Sequence, residues 1–297
     1  METSIRLGTR GSALALAQAQ LVADLVKGAE IVAIKTHPTT GGAAGDKGRF
    51  VRGIEEALLA GEVDLGVHSA KDLPSELPDE LRLAGVPTRE DPADAYVGDA
   101  SSLADVVESA RIGTSSLRRR AQLLAVRPDL EVVDLRGNVD TRLRRLADGD
   151  FDGIVLAAAG LRRLDREGEI AFRFEPEAMT PAAGQGALAL ETRRDDENSS
   201  RAAAGISDAR ALIELTAERA AVGDLDATCR TPVGVHAELA DGRLRADAFV
   251  GLPDGSEWVR DSLEGDPDDP VALGRELARR LLSAGAGDVL ERAGSMA

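Results

Sequence analysis

The sequence predicts an α/β protein of two or three domains, and three observations carry that expectation. Its 297 residues exceed what one domain of ~100–200 residues takes up. Short β-type runs alternate with helical stretches through most of the chain, the pattern of sheets covered by helices. Apolar residues make up 43%, enough for a sizeable core and too many for wholesale disorder.

Ser12 is placed to cap a helix in which Leu14, Leu21, Val22 and Leu25 share a face. Ile31 to Ile34 reads as a strand, Phe50 to Leu59 as a helix, and Val63 to Val67 as a buried strand. The polar, Pro-punctuated run Arg89-Glu90-Asp91-Pro92 marks a crossing into a second domain. There Arg111-Ile112-Gly113 ends a strand, and Leu117 to Val126 forms a helix. Val132 to Leu135 is a strand, Val139 to Ala147 a helix, and Ile154 to Leu156 a strand. Near Thr180-Pro181 the chain crosses back, because Ala187 to Leu190 reads as one more strand. A third unit has a helix from Asp208 to about Val222, strands at Val233–Leu239 and Leu244–Val250, and a helix from Val271 to Leu282. The expected domains are 1–88 with 184–204, then 89–183, then 205–297. Two similar lobes joined by crossing strands would place a ligand cleft between them.

Charge excludes several functions. Lys and Arg number 36 against 52 Asp and Glu, a formal −16, the wrong sign for a general nucleic-acid coat or a binder of anionic membranes. Only four of the basic residues are Lys and aromatics are 2%, a composition expected of a protein kept soluble in a high-salt cytoplasm. Met1 to Leu7 shows no basic-then-apolar leader, and no apolar run approaches the ~20 residues that span a bilayer, so a soluble cytoplasmic protein is expected. One Cys cannot make an intrachain disulfide, and three scattered His give no zinc cluster, so no metal is expected.

Between Arg111 and Arg166 the balance reverses: twelve Arg meet eight acidic residues, a local +4 that leaves −20 for the remainder. Thr114-Ser115-Ser116-Leu117-Arg118-Arg119 follows a strand and opens a helix, where backbone N–H groups, hydroxyls and guanidinium forks suit an anion. Arg136-Gly137-Asn138, with Arg142 one turn on, repeats the arrangement, as does Thr9-Arg10-Gly11-Ser12. Three such turns imply a ligand with several carboxylates or phosphates, and none carries the Lys-Ser/Thr ending of a nucleotide loop. For Arg144, Arg145 and Arg166 solvated helix faces are the simpler reading. Lys71-Asp72 is either a surface ion pair or a functional one, with Lys71 on an anion and Asp72 stabilising developing positive charge. Cys229 is either a small buried apolar side chain or, beside Arg230, a nucleophilic thiolate.

The ordered motifs Thr9-Arg10-Gly11-Ser12, Lys47-Gly48-Arg49-Phe50, His68-Ser69-Ala70-Lys71-Asp72 and Glu90-Asp91-Pro92 are joined by the Thr114 and Arg136 segments already quoted. Ala159-Gly160-Leu161-Arg162-Arg163, Gly184-Gln185-Gly186-Ala187, Thr216-Ala217-Glu218-Arg219 and the Cys229 segment complete a set that resembles the porphobilinogen deaminases, or hydroxymethylbilane synthases, over nearly the whole chain. That resemblance implies three α/β domains. Two are periplasmic-binding-protein-like lobes with a cleft between them, and the third is a smaller C-terminal domain carrying the cofactor Cys. It implies a covalent dipyrromethane, one per chain, made from substrate and attached by thioether to Cys229. Four porphobilinogen molecules are then joined head to tail with loss of four ammonia, giving linear hydroxymethylbilane. Asp72 matches the catalytic carboxylate. Arg10, Lys71, Arg118, Arg119, Arg136, Arg142 and Arg163 match residues that bind acetate and propionate arms, and Ser12, Thr114, Ser115, Ser116 and Gln185 match polar neighbours. Lys47 and Phe50 fall beside the family's mobile cover, and a monomer is implied. The chain departs from the family pattern in a shorter 36–47 segment and in Ala227-Thr228, where Gly-Gly usually precedes the Cys.

Three other functions bear on the same residues. A noncatalytic two-lobed polycarboxylate-binding protein accounts for the Arg clusters but gives Cys229 and Asp72 no role. A Cys acyl transferase would need His68 or His236 as partner, and a DNA-binding middle domain is opposed by the overall field.

Overall fold

The first strand runs into a turn that the sequence equips to start a helix. In the computed structural model, which describes residues 4–34, 46–228 and 231–296 and the side chains of all of these but 46–50, strand Arg6–Arg10 leads through Ser12 into helix Ala13–Leu25. The Ser12 hydroxyl accepts from Ala15 N at 3.3 Å, satisfying one of the helix's orphan donors.

The chain divides into two compact units, 1–90 with 186–213 and 91–185 with 214–297. In the first, five strands lie in the order Glu30–Ile34, Arg6–Arg10, Leu65–Ser69, Leu188–Arg193, Leu81–Gly85. Arg6–Arg10 pairs in parallel with both its neighbours, and Leu188–Arg193 is antiparallel to both of its own. Alternate residues feed opposite faces of the sheet. Leu7, Leu65, Val67, Leu188 and Leu190 pack with Val22 and with Ala203 of helix Glu197–Gly205. Val63 and Leu81 pack with Ile54, Ala57 and Leu58 of helix Asp46–Leu59.

The second unit repeats the plan. Its five-stranded sheet runs Glu131–Val133, Arg111–Gly113, Gly153–Ala157, Asp94–Gly98, Phe172–Arg173. The first three are parallel, and Asp94–Gly98 is antiparallel to both its neighbours. In both sheets the fourth position is filled by the strand laid down just after the chain crosses between units. Helices Leu117–Val126 and Val139–Ala147 start where expected, capped by Ser116 and Asn138.

The same unit holds a three-stranded antiparallel meander, Val233–Ala240, Arg243–Gly251 and Trp258–Gly265, with helices Pro270–Ser283 and Ala286–Met296 and, from Glu214 on, helix Ala209–Asp224. Asp241 and Gly242 join the first two strands, both at positive φ (51° and 75°), as a two-residue hairpin turn requires.

Several elements differ from expectation. The sequence reading does not contain Leu81–Gly85, Asp94–Gly98, Trp258–Gly265 or helix Glu197–Gly205. Trp258–Gly265 alternates exposed and half-buried residues, so it carries no apolar run to reveal it. The strand expected at Val132–Leu135 occupies Glu131–Val133, because Leu135 already belongs to the turn into the next helix. Among the described residues no helix is long and apolar enough to cross a membrane.

Candidate active site

Two groups of polar side chains are built where parallel strands end, the edge at which open α/β sheets hold ligands. In the first unit, neighbouring strands Arg6–Arg10 and Leu65–Ser69 deliver Arg10, His68 and Ser69, and the turn Ala70–Asp72 follows directly. A cavity of about 50 Å³ is lined there by Arg10, Ser12, Gln18, His68, Ser69 and Asp72 together with apolar residues. Helix Ala13–Leu25 has no acidic residue in its first turn, so its positive end is left uncompensated beside Ser12. Burial pushes the Arg10 guanidinium below its ordinary range, and the Asp72 carboxylate opposes that shift. Gln18, buried, hydrogen-bonds the Ser69 hydroxyl at 2.9 Å. His68 Nε2 lies 2.9 Å from Oε2 of the fully buried Glu191. Lys71 is half-buried in the turn beside Asp72 and does not line the cavity.

In the second unit the ends of three parallel strands supply Thr114–Ser116, Arg136–Asn138 and, one short helix later, the half-buried Arg163. Thr114 is buried and Ser115 exposed, while Ser116 caps the helix that bears the two adjacent arginines. Those arginines turn inward, at 3% and 6% exposure. Arg118 Nη1 donates to Asp94 Oδ2 at 2.6 Å and Arg119 Nε to Asp94 Oδ1 at 2.8 Å, and Gln185 Nε2 donates to the same Oδ1 at 2.9 Å. Burial alone would raise the Asp94 pKa, but Arg118 and Arg119 more than reverse that and hold it well below the carboxylate range.

Gly137, at φ 112°, turns the chain so that Asn138 can cap the next helix and Arg142 Nε can reach back to Gly137 O at 2.8 Å. Burial, reinforced by the charge of Arg119, lowers Arg142 to about 10. Arg136 is exposed and pairs with Asp134 at 2.8 Å. Arg118, Arg119 and Gln185 are therefore brought together on Asp94 with Arg142 close by, while Arg136 stands apart toward solvent.

Cys229 and the 36–45 stretch lie outside the described residues, as do the side chains of Lys47 and Phe50. Next to Cys229 in sequence, the left-handed backbone falls on Asp226 (φ 49°), not on Ala227 or Thr228. Asp tolerates that region better than most side chains. Thr228 and Thr231 are tied to each other, Thr231 Oγ1 accepting from Thr228 N at 2.8 Å. Among the described residues no three His, Cys, Asp or Glu side chains gather as a metal site.

Sequence reasoning did not assign Asp94, Gln18 or Glu191. Asp94 sits in a polar run that reads as a turn; the signal was Ala95-Tyr96-Val97 directly after it, a strand that would carry its first residue inside.

The family of the porphobilinogen deaminase dipyromethane cofactor binding domain matches residues 5–201, and that of the porphobilinogen deaminase C-terminal domain matches residues 212–283. The chain belongs to the porphobilinogen deaminase family. Among its relatives, the porphobilinogen deaminase of Roseiflexus sp. (strain RS-1) is 48% identical, covering 96% of this chain and 98% of that one. The porphobilinogen deaminase of Thermus thermophilus is 46% identical, covering 96% and 97%. Among solved structures, the chain is similar to a TRAP periplasmic solute binding protein from Desulfovibrio salexigens, with a TM-score of 0.42 at 8% identity, over 70% of this chain and 73% of that one.

Porphobilinogen deaminases are enzymes of tetrapyrrole biosynthesis, and this chain has their dipyrromethane cofactor-binding domain. Its residues fit such a group. A dipyrrole with two carboxylates on each ring needs cationic donors, and the Arg118–Arg119–Asp94 group places two guanidiniums against one carboxylate. Arg118 Nε is buried with no acceptor, and Arg142 adds a further desolvated cation. Surplus positive charge of this kind is stabilised by incoming carboxylates.

Proposed function

We propose that the chain condenses four porphobilinogen molecules head to tail with loss of four ammonia and releases the product by hydrolysis with one water as hydroxymethylbilane, with Asp72 as the catalytic carboxylate and Cys229 as the cofactor's point of attachment. The bound dipyrromethane would supply a covalent primer on which the pyrrole chain grows. The observation that carries this reading is a cation and a carboxylate, Arg10 and Asp72, lining one small cavity. A substrate pairing carboxylate arms with an aminomethyl group asks for both signs of charge at short range.

Arg10 and Ser12, at the positive end of a helix, orient a carboxylate arm. Asp72 faces the pyrrole N–H and the positive charge that develops as ammonia departs, and it takes part in moving the proton that the attacking ring carbon releases. Arg118, Arg119, Arg142 and Arg163 hold acetate and propionate arms, with Lys71 and the outlying Arg136 adding charge. Thr114, Ser115, Ser116 and Gln185 supply neutral donors. Three domains, 1–88 with 184–204, 89–183 and 205–297, a monomeric state and a cytoplasmic location complete the reading.

The test pairs mass with turnover. The purified chain should exceed its sequence mass by two linked pyrrole units, lost in Cys229→Ser. Asp72→Asn should keep that adduct and its melting temperature while turnover falls by about 10²-fold or more. An unmodified wild-type mass after incubation with porphobilinogen, or near-normal turnover in Asp72→Asn, would overturn the assignment.

A further inference from the structure

The arginine group of the second unit is held from behind by a chain of contacts that reaches the three-stranded sheet. Gln122 lies one turn after Arg118 on helix Leu117–Val126 and is 2% exposed. Its carboxamide clasps Thr180 at both backbone groups: Oε1 accepts from Thr180 N at 2.8 Å, and Nε2 donates to Thr180 O at 3.0 Å. Thr180 O accepts a second hydrogen bond, from Arg118 Nη1, at 2.8 Å. That carbonyl therefore shares Arg118 Nη1 with Asp94 and gives the guanidinium a second fixed acceptor.

What fixes Gln122 comes from the C-terminal part of the unit. Arg260, on strand Trp258–Gly265, donates through Nη2 to Gln122 Oε1 at 2.8 Å and to Ala178 O at 3.0 Å. Its guanidinium lies over the Phe249 ring, 5.2 Å from the centroid, which limits its rotamers. The segment that carries Thr180 and Gln185 is held to the same part of the unit at three more points. Val235 N donates to Pro181 O at 2.9 Å, and Gly184 N donates to Glu218 Oε2 at 2.6 Å. At Gly234 any Cβ would stand 2.5 Å from Thr180 O, so the close approach needs glycine. The bonds from Arg260 and Thr180 meet on one carboxamide, that of the buried Gln122.

We propose that Gln122 and Arg260 are positioning residues for the arginine group: Arg260 holds the Gln122 carboxamide, Gln122 holds Thr180, and Thr180 O aims Arg118. The proposal rests on the reading above that Arg118 and Arg119 hold carboxylate arms. The C-terminal sheet then serves as the back wall of the anion-binding group, besides lying in the region of sequence that holds Cys229.

Arg260 is exposed, so substituting it does not open the core. Arg260→Met should leave the melting temperature nearly unchanged, speed exchange of the Thr180 amide hydrogen, and raise KM for porphobilinogen about tenfold with kcat within about twofold, the signature of lost ground-state binding. Arg260→Lys, which keeps one donor, should recover part of that KM. Arg260→Met combined with Gln122→Met should be no worse in KM than Gln122→Met alone, because the two act in series. Additive effects, or an unchanged KM and unchanged Thr180 exchange in Arg260→Met, would overturn the proposal. If the wild-type chain never acquires the two-pyrrole mass, the functional reading fails by itself, and Thr180 exchange still decides the relay: faster in Arg260→Met supports it, unchanged refutes it.

Discussion

Arg142 carries its charge in an unfavourable place. Burial and the neighbouring Arg119 bring its pKa down from the ordinary arginine range to about 10. A base whose folded pKa lies below its unfolded value is charged at neutral pH at the expense of the native state, and that penalty fades as pH rises through about 10. A carboxylate ligand beside it would offset that penalty. Arg142→Met is therefore expected to keep or raise the melting temperature while raising KM several-fold, and substrate affinity in the wild type should weaken at pH above about 10. Paired melts and saturation kinetics check this; a lower melting temperature with unchanged KM would make Arg142 a structural residue.

At the scale of elements, the hairpin between Arg243–Gly251 and Trp258–Gly265 seats itself on helix Leu117–Val126. Gly255, at φ 74°, lies so close that a Cβ would stand 2.4 Å from Ala125 N. Gly255→Ala thus meets both a strained backbone and a backbone clash, and about 1–3 kcal/mol of stability should be lost. Chemical denaturation measures it; a loss below about 0.5 kcal/mol would mean that the hairpin is free to lift. The helices were legible because their starts are chemical: Ser12, Ser116 and Asn138 each cap as their side chains dictate. The strand-end turns rich in Arg and hydroxyls were legible for the same reason. What sequence could not show is which way an arginine turns. Arg118 and Arg119 reach Asp94 across 24 and 25 residues of chain, and nothing local in either segment announces that partner. Gln122 reads as an ordinary helix residue until Thr180, 58 residues away, is folded against it.

For the whole molecule, a formal −16 sits around a group of arginines that works by attraction. Salt should act on these two features in opposite directions. Raising it from about 0.1 to 1 M screens self-repulsion and should raise the melting temperature, while weakening the guanidinium–carboxylate contacts and raising KM. Melts and kinetics over one salt series check both; a flat melting temperature would show that self-repulsion is not limiting stability.

The crossing strands have a consequence for biosynthesis. All five strands of the second unit's main sheet lie between Asp94 and Arg173, so that sheet can close as soon as its own stretch has left the ribosome. The amino-terminal sheet has no such freedom. Among the described residues Leu81–Gly85 pairs only with Leu188–Arg193, which must slot in between it and Leu65–Ser69. The part of the nascent chain synthesised first is thus the part completed late, waiting with an open gap until the one strand that fits it has been translated.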